Sequence, residues 1–192
     1  FQWFLIQWTL KMENLYTSLA DSINWSADML AFILPPPQHS FLGAMTESIY
    51  DRFTGNPIER VVYPGFVVVV AALLAARRHL FWAAMTVVFG LFSLGPYLHI
   101  GGQQTDVILP YYLFHHIPFV KAARVPARFI VLTMLCLSVC MAAGVKILLH
   151  RAGKWGGKTA RLLVYTLFLA ILSAELTRAP YPTVLDRTPE VY

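Results

Sequence analysis

The sequence predicts an all-α, polytopic membrane protein with about four transmembrane helices, interfacial helices and a long extracytoplasmic loop. Hydrophobic residues make up 57% of the 192 residues, and the mean hydropathy is +0.58. These residues gather in long apolar blocks. In a soluble protein they would instead alternate with polar residues. In a four-span arrangement all ten acidic residues fall on one side, whereas the ionisable residues in the loops on the other side are only Lys, Arg and His.

The first segment, residues 1–60, is predicted to hold the end of a preceding helix and an extracytoplasmic loop. Residues 1–10 are apolar and Trp-rich but too short to cross about 30 Å of hydrocarbon. Because the chain opens at Phe1 without the features of a signal peptide, we expect it to be an internal or C-terminal piece of a longer protein. The rest of the segment is polar, with a candidate short helix at 26–34 that a proline run ends.

Two pairs of apolar stretches follow and are interpreted as membrane spans. The first pair occupies residues 61–98, and the second pair occupies residues 129–176. The predicted spans are 61–76, 80–98, 129–149 and 162–176. Cys136, Cys140 and Gly144 recur every four residues in the third span, a pattern of small residues that permits close helix packing.

The charges of the connecting loops predict the orientation. Loops 77–79 and 150–161 contain basic residues without Asp or Glu, so we expect both to be cytoplasmic. The segment 99–128 and the tail 177–192 are then extracytoplasmic. Prolines divide the apolar segment 99–128 into short pieces, which we expect to form helices along the outer membrane face.

Lys121, Arg124 and Arg128 form the strongest candidate binding site. Their helix-like spacing could place them on one face at the depth of lipid phosphates. Guanidinium groups match phosphate oxygens in a bidentate way, so the set could hold the phosphate of a lipid-linked substrate. Anchoring to ordinary lipid headgroups is the alternative interpretation.

Asp28 and the histidines are weaker candidates. Asp28, in an outer loop with His39, could act as a base or position a sugar hydroxyl, or it could simply cap a helix. No histidine occupies the middle of a predicted span, and the two cysteines lack further ligands, so we expect no metal and no cofactor. The basic residues sit mainly at the ends of apolar blocks, which indicates contact with membrane lipids and no nucleic-acid partner.

Several stretches together resemble the C-terminal membrane portion of bacterial GT-C-type, YfhO-like glycosyltransferases. They are Ser-Ala-Asp-Met-Leu-Ala-Phe-Ile-Leu-Pro-Pro-Pro-Gln-His at 26–39, Leu-Gly-Pro-Tyr-Leu-His-Ile-Gly-Gly at 94–102, Leu-Pro-Tyr-Tyr-Leu at 109–113 and Arg-Val-Pro-Ala-Arg-Phe at 124–129. The resemblance covers most of the chain from about Trp25 onward. It implies a multi-spanning enzyme of the bacterial cytoplasmic membrane that transfers a sugar from a polyprenyl-phosphate donor on the outer face.

The resemblance also implies which part of such a site this chain could supply. The acidic catalytic residue of the family cannot be matched to any position here. The basic set at 121, 124 and 128 would bind the donor phosphate, with Asp28, His39 and His99 as possible wall residues. The alternative is a non-catalytic helical subunit that packs against other membrane helices or subunits within a larger, energy-converting complex.

Overall fold

The computed structural model describes residues 18–53, 60–115, 117 and 125–177, and this part of the chain is mostly helical. The helices are α1 (Leu19–Asn24), α2 (Gly43–Tyr50), α3 (Phe66–Ala76), α4 (Leu80–Ser93), α5 (Pro110–His115) and α6 (Ile130–Leu176), with 3-10 helices at Met29–Phe32 and Pro126–Phe129 and strands β1 (Tyr97–Ile100) and β2 (Gln103–Ile108).

The long element α6 consists of two limbs, 130–155 and 158–176, that run in opposite directions. The backbone leaves the helical conformation at Gly156 and Gly157, where the second glycine has φ +63°. Gly144 lies against Ala71, and Glu175 binds the start of α3 at Phe66. Those α3 positions are about 8 Å apart, whereas Gly144 and Glu175 would be about 46 Å apart in a straight helix. The chain therefore reverses at the glycine pair.

Small side chains hold α3 against the first limb of α6. Ala71, Ala75, Cys136 and Cys140 are all buried to within 4% of full burial. The carbonyl oxygen of Ala71 lies 1.7 Å from where a Cβ on Gly144 would stand. The stripe of small residues in the sequence thus lies in a contact where the two backbones touch, as a small-xxx-small pattern requires.

Among the residues that the structure describes, one helical stretch is long and apolar enough to cross a membrane, Pro126–Leu176, and the reversal at Gly156-Gly157 divides it into the two limbs. α3 and α4 are apolar but have only 11 and 14 residues. Their lengths of about 17 and 21 Å fall short of about 30 Å of hydrocarbon. The predicted spans 61–76 and 80–98 are shortened because Pro64 and Gly65 delay the start of α3, and Gly95 and Pro96 end α4.

The expectation of an all-α chain needs a correction in the segment after α4. Residues 97–108 form an antiparallel β-hairpin, with His99 opposite Gln104 and Ile100 opposite Gln103. Its two-residue turn is Gly101-Gly102, with φ +63° and +83°, and two positive φ values suit the twist of a hairpin. The next helix is α5, which begins at Pro110. Of the described residues in segment 99–128, the part before Pro110 is therefore a hairpin and not an interfacial helix.

The two 3-10 helices and the β-hairpin lie together at one end of the helical bundle. We call this assembly the platform. Ala27 N–H donates to Ser93 O at 3.0 Å, and Ala127 N–H donates to Trp25 O at 3.1 Å, so the segment 25–27 links α4 to the start of α6. Its core contains Ala27, Ala31, Tyr50, Phe53, Val62, Leu94 and Ala127.

Candidate functional site

The carboxylate of Asp28 is the polar centre of the platform. Asp28 Oδ1 accepts hydrogen bonds from Leu30 N–H at 2.8 Å and Gly101 N–H at 3.0 Å, and Oδ2 accepts one from Gly102 N–H at 2.7 Å. The first bond caps the 3-10 helix Met29–Phe32, and the other two hold the hairpin turn. Asp28 is only 5% exposed.

This bonding defines what Asp28 can do chemically. A carboxylate offers about four acceptor positions, and backbone donors occupy three of these around Asp28. With both oxygens engaged and the residue buried, Asp28 positions the hairpin and is poorly placed to take a proton from a substrate. The helix-capping interpretation of Asp28 is the one that the geometry supports.

His99 is buried beside this centre. It is 2% exposed, and its Nδ1 has no hydrogen-bond partner in the described part of the chain. Burial lowers the pKa of His99, and the charge of Asp28 and a hydrogen bond with the backbone of Tyr97 oppose that shift only partly. His99 is therefore a neutral wall of the platform at physiological pH, and the structure brings it together with Asp28.

His39 has a local role in the loop before α2. Its Nδ1 accepts hydrogen bonds from the N–H groups of Phe41 and Leu42, both at 3.2 Å. An acceptor Nδ1 requires the tautomer with the proton on Nε2. His39 is buried at 7% exposure, so its ring organises the turn that leads into α2.

Glu175 forms a second polar centre, at the start of α3. Its Oε1 accepts from the hydroxyl of Tyr63 at 2.7 Å and from Phe66 N–H, and its Oε2 accepts from Val67 N–H at 3.0 Å. α3 has no side-chain cap of its own at Gly65, so the carboxylate from the second limb of α6 supplies one. A negative charge at a helix N-terminus is also favoured by the helix dipole.

Tyr63 is held by the same contact. Its side chain is buried, and its phenolic O–H donates to Glu175 Oε1. Tyr63 and Glu175 thus act as a fixed pair that fastens α6 to α3.

The predicted phosphate-binding set is described only in part. Lys121 and Arg124 lie outside the described residues. Arg128 is in the 3-10 helix Pro126–Phe129 and is exposed, while its neighbours Pro126 and Ala127 are buried. The buried pair fixes the backbone at this point, so Arg128 is displayed from a rigid part of the platform.

Other chemistry is sparse in the part of the chain that the structure describes. No group of three or more His, Cys, Asp or Glu residues that could hold a metal occurs there.

Comparison with protein-family models, curated proteins and solved structures finds no match to this chain.

Sequence reasoning missed two features of the site. The first is the hairpin, although Gly101-Gly102 between extended runs is itself a hairpin signal. The second is the clamp on α3 by Glu175, whose carboxylate accepts from the N–H groups at the start of that helix. No local signal links Glu175 to a helix start more than a hundred positions earlier in the chain.

Proposed function

We propose that this chain is an outward-facing membrane portion of a glycosyltransferase-like protein that uses a polyprenyl-phosphate-linked sugar. In this proposal the helices lie in the bacterial cytoplasmic membrane and the platform faces the outside. The platform is the scaffold of the site, and Arg128 is its described phosphate-binding residue. The catalytic acid is not assigned to any residue of this sequence.

The exposure of apolar side chains is the observation that carries the membrane placement. Only 28% of the most apolar window of α6 is buried. Leu73, Phe81, Val131 and Leu163 expose between 64% and 68% of their surface. Large apolar surface that no protein contacts is expensive in water and is satisfied by lipid.

The distribution of charge supports the orientation. One end of the bundle, which we call the basic end, carries exposed cations and no acidic residue of the described chain. They are Arg77, Arg78, Arg151, Lys154, Lys158 and Arg161. Asp28 and Glu175 lie at the opposite end. By the positive-inside rule the basic end is cytoplasmic, which makes loops 77–79 and 150–161 cytoplasmic and the platform external.

The Glu175 clamp fits this placement. Glu175 follows Arg161 by 14 helical positions, or about 21 Å, which is less than about 30 Å of hydrocarbon. A carboxylate at that depth is costly unless donors satisfy it. The hydroxyl of Tyr63 and the two N–H groups at the start of α3 do so, and α3 begins there and not at the membrane surface.

Arg128 supports the phosphate-binding role because it is an exposed arginine on a rigid backbone, and the guanidinium group of arginine makes bidentate hydrogen bonds to phosphate. We test this with the full chain in nanodiscs and with undecaprenyl phosphate as the probe, bound lipid being measured by native mass spectrometry. Arg128→Gln is expected to weaken binding about tenfold or more. Arg52→Gln, which removes another exposed arginine outside the basic end, is the matched control. Equal retention by Arg128→Gln and the control would remove the phosphate-binding role.

A non-catalytic bracing subunit is the second candidate function. The observation that favours it is the use of Asp28 and Glu175 for backbone hydrogen bonds, which leaves two conspicuous carboxylates in structural roles. Co-purification at a fixed ratio with other membrane subunits, combined with no binding of undecaprenyl phosphate, would favour the brace. Binding of the probe that depends on Arg128 would favour the transferase.

A further inference from the structure

An open apolar groove of about 560 Å³ runs between α3 and α4. These two helices follow each other in the chain, yet each packs on α6 far more than on its neighbour. The first limb of α6 forms the floor through residues such as Thr133 and Leu137. The groove therefore exists because α3 and α4 lean apart over a common support.

The described residues along the groove offer a ligand no free polar group. The hydroxyl side chains among them are Thr86 and Thr133, and each donates to a backbone oxygen one turn earlier, to Trp82 O at 2.9 Å and Phe129 O at 3.2 Å. Its open side includes Leu73 and Val87, which are 68% and 61% exposed. A hydrocarbon chain satisfies such walls without the loss of a hydrogen bond.

The length of the groove matches one membrane leaflet. Its α4 wall runs from Ala83 to Leu94, the residue that ends α4, which corresponds to about 17 Å of helix. Half of a hydrocarbon core of about 30 Å is about 15 Å. A single acyl chain that extends through one leaflet would fill the groove from end to end.

The two ends of the groove differ in charge. At the basic end the walls finish at Ala76 and Ala83, and the exposed Arg77 and Arg78 follow directly after Ala76. At the platform end the walls include Met29, which follows Asp28 in sequence. An anionic headgroup is attracted to the arginines and repelled by the carboxylate.

From this geometry we propose that the groove binds an anionic phospholipid of the cytoplasmic leaflet. One acyl chain lies between α3 and α4, and the phosphate lies on Arg77 and Arg78. The inference rests on the membrane orientation in the proposed function but not on sugar transfer. Its ligand is a resident lipid on the side opposite to Arg128.

The test measures lipids retained by the purified full chain in native mass spectrometry, with phosphatidylglycerol and phosphatidylcholine as probes. The unaltered chain is expected to retain one phosphatidylglycerol in preference to phosphatidylcholine. Arg77→Gln/Arg78→Gln should weaken phosphatidylglycerol binding about 25-fold, or roughly fivefold for each arginine. Lys154→Gln/Lys158→Gln removes the same charge from the same end of the bundle without altering the groove. An equal loss in both double variants would contradict the proposal, because the attraction would then be diffuse.

A second pair of variants tests the acyl chain. Ala83→Trp fills the groove and should abolish retention of the lipid, whereas Ala84→Trp alters an exposed neighbour outside the groove and should not. Equal retention by both variants would overturn the proposal. So would a dimer of the unaltered chain that Ala83→Trp dissociates, because a second copy would then occupy the groove. None of these substitutions touches Arg128, so binding of undecaprenyl phosphate reports separately on the proposed function.

Discussion

The hydroxyl of Tyr63 donates a hydrogen bond to Glu175 at 2.7 Å and joins two residues that are 112 positions apart. The same carboxylate accepts from Val67 N–H at 3.0 Å. The last helical limb is thereby bound to the first turn of α3. This contact fastens the limb to the bundle at the end far from the reversal at Gly156-Gly157, and Ser40 Oγ–H donates to Thr177 O just after the limb at 3.0 Å.

Glu175→Gln should destabilise the bundle by about 1–3 kcal/mol, because an amide lacks the charge that the helix N-terminus favours and offers only one acceptor oxygen. The measurement is the midpoint of thermal unfolding in a mild detergent. Glu47→Gln, which alters an exposed carboxylate on α2, is the matched control and should leave the midpoint unchanged.

Tyr63→Phe removes the phenol O–H that donates to Glu175 and leaves the backbone N–H donors in place. It should cost about 1 kcal/mol, the net value of one hydrogen bond. In a double-mutant cycle with Glu175→Gln the two effects should not be additive, because each variant removes the same bond. Additive losses would show that the phenol and the carboxylate act independently.

Asp28→Asn should loosen the hairpin turn while the fold persists. The asparagine oxygen can still accept from one or two N–H groups, but its amide nitrogen would face the N–H of Gly101 or Gly102, a donor against a donor. A cost of about 2 kcal/mol follows for a buried donor left without an acceptor. Amide hydrogen exchange at Gly101 and Gly102 should become faster. Unchanged exchange at both glycines would contradict the role of Asp28 in holding the turn.

The sequence predicts the main helical blocks and the small-residue packing stripe because apolar periodicity and residue size are local properties. It predicts a turn within residues 150–161, but it does not show that helix continues up to Gly156-Gly157, nor that α4 ends early. The hydrogen bonds between Asp28 and the hairpin turn join two parts of the chain that are more than seventy positions apart. Such long-range contacts depend on tertiary packing, for which a local stretch of sequence contains no signal. The sequence does predict capping by Asp28 as one role, because Asp before a short apolar run is a common helix start.

The two glycines of the hairpin turn should respond differently to alanine. A Cβ at Gly102 would stand 1.8 Å from Arg52 O, whereas the nearest atom to a Cβ at Gly101 is Leu30 Cδ1 at 3.6 Å. Gly101→Ala therefore carries only the cost of a positive φ, about 1 kcal/mol. Gly102→Ala adds a clash with backbone and should cost clearly more. Thermal midpoints of the two variants give the comparison, and equal losses would rule out close contact between the turn and residue 52.

His99 should make the protein less stable as the pH falls. Its folded pKa lies below the ordinary 6.5, so below about pH 6.5 the unfolded chain binds a proton that the folded chain does not. The stability that neutral His99 contributes is present above pH 6.5 and is lost as the pH drops toward the folded pKa. Thermal midpoints at pH 7.5 and pH 5 should differ more for the unaltered chain than for His99→Asn. The same pH dependence in both proteins would show that other groups cause it.

The most direct test of the central claim, that the platform and the basic end lie on opposite sides of a membrane, is cysteine labelling in intact cells. Asp106 and Lys154 are exposed at the two ends, and the native Cys136 and Cys140 are buried, so the unaltered chain serves as the blank. A membrane-impermeant maleimide should label Asp106→Cys in intact cells and Lys154→Cys only after the membrane is broken. Labelling of both positions from the same side would contradict the account.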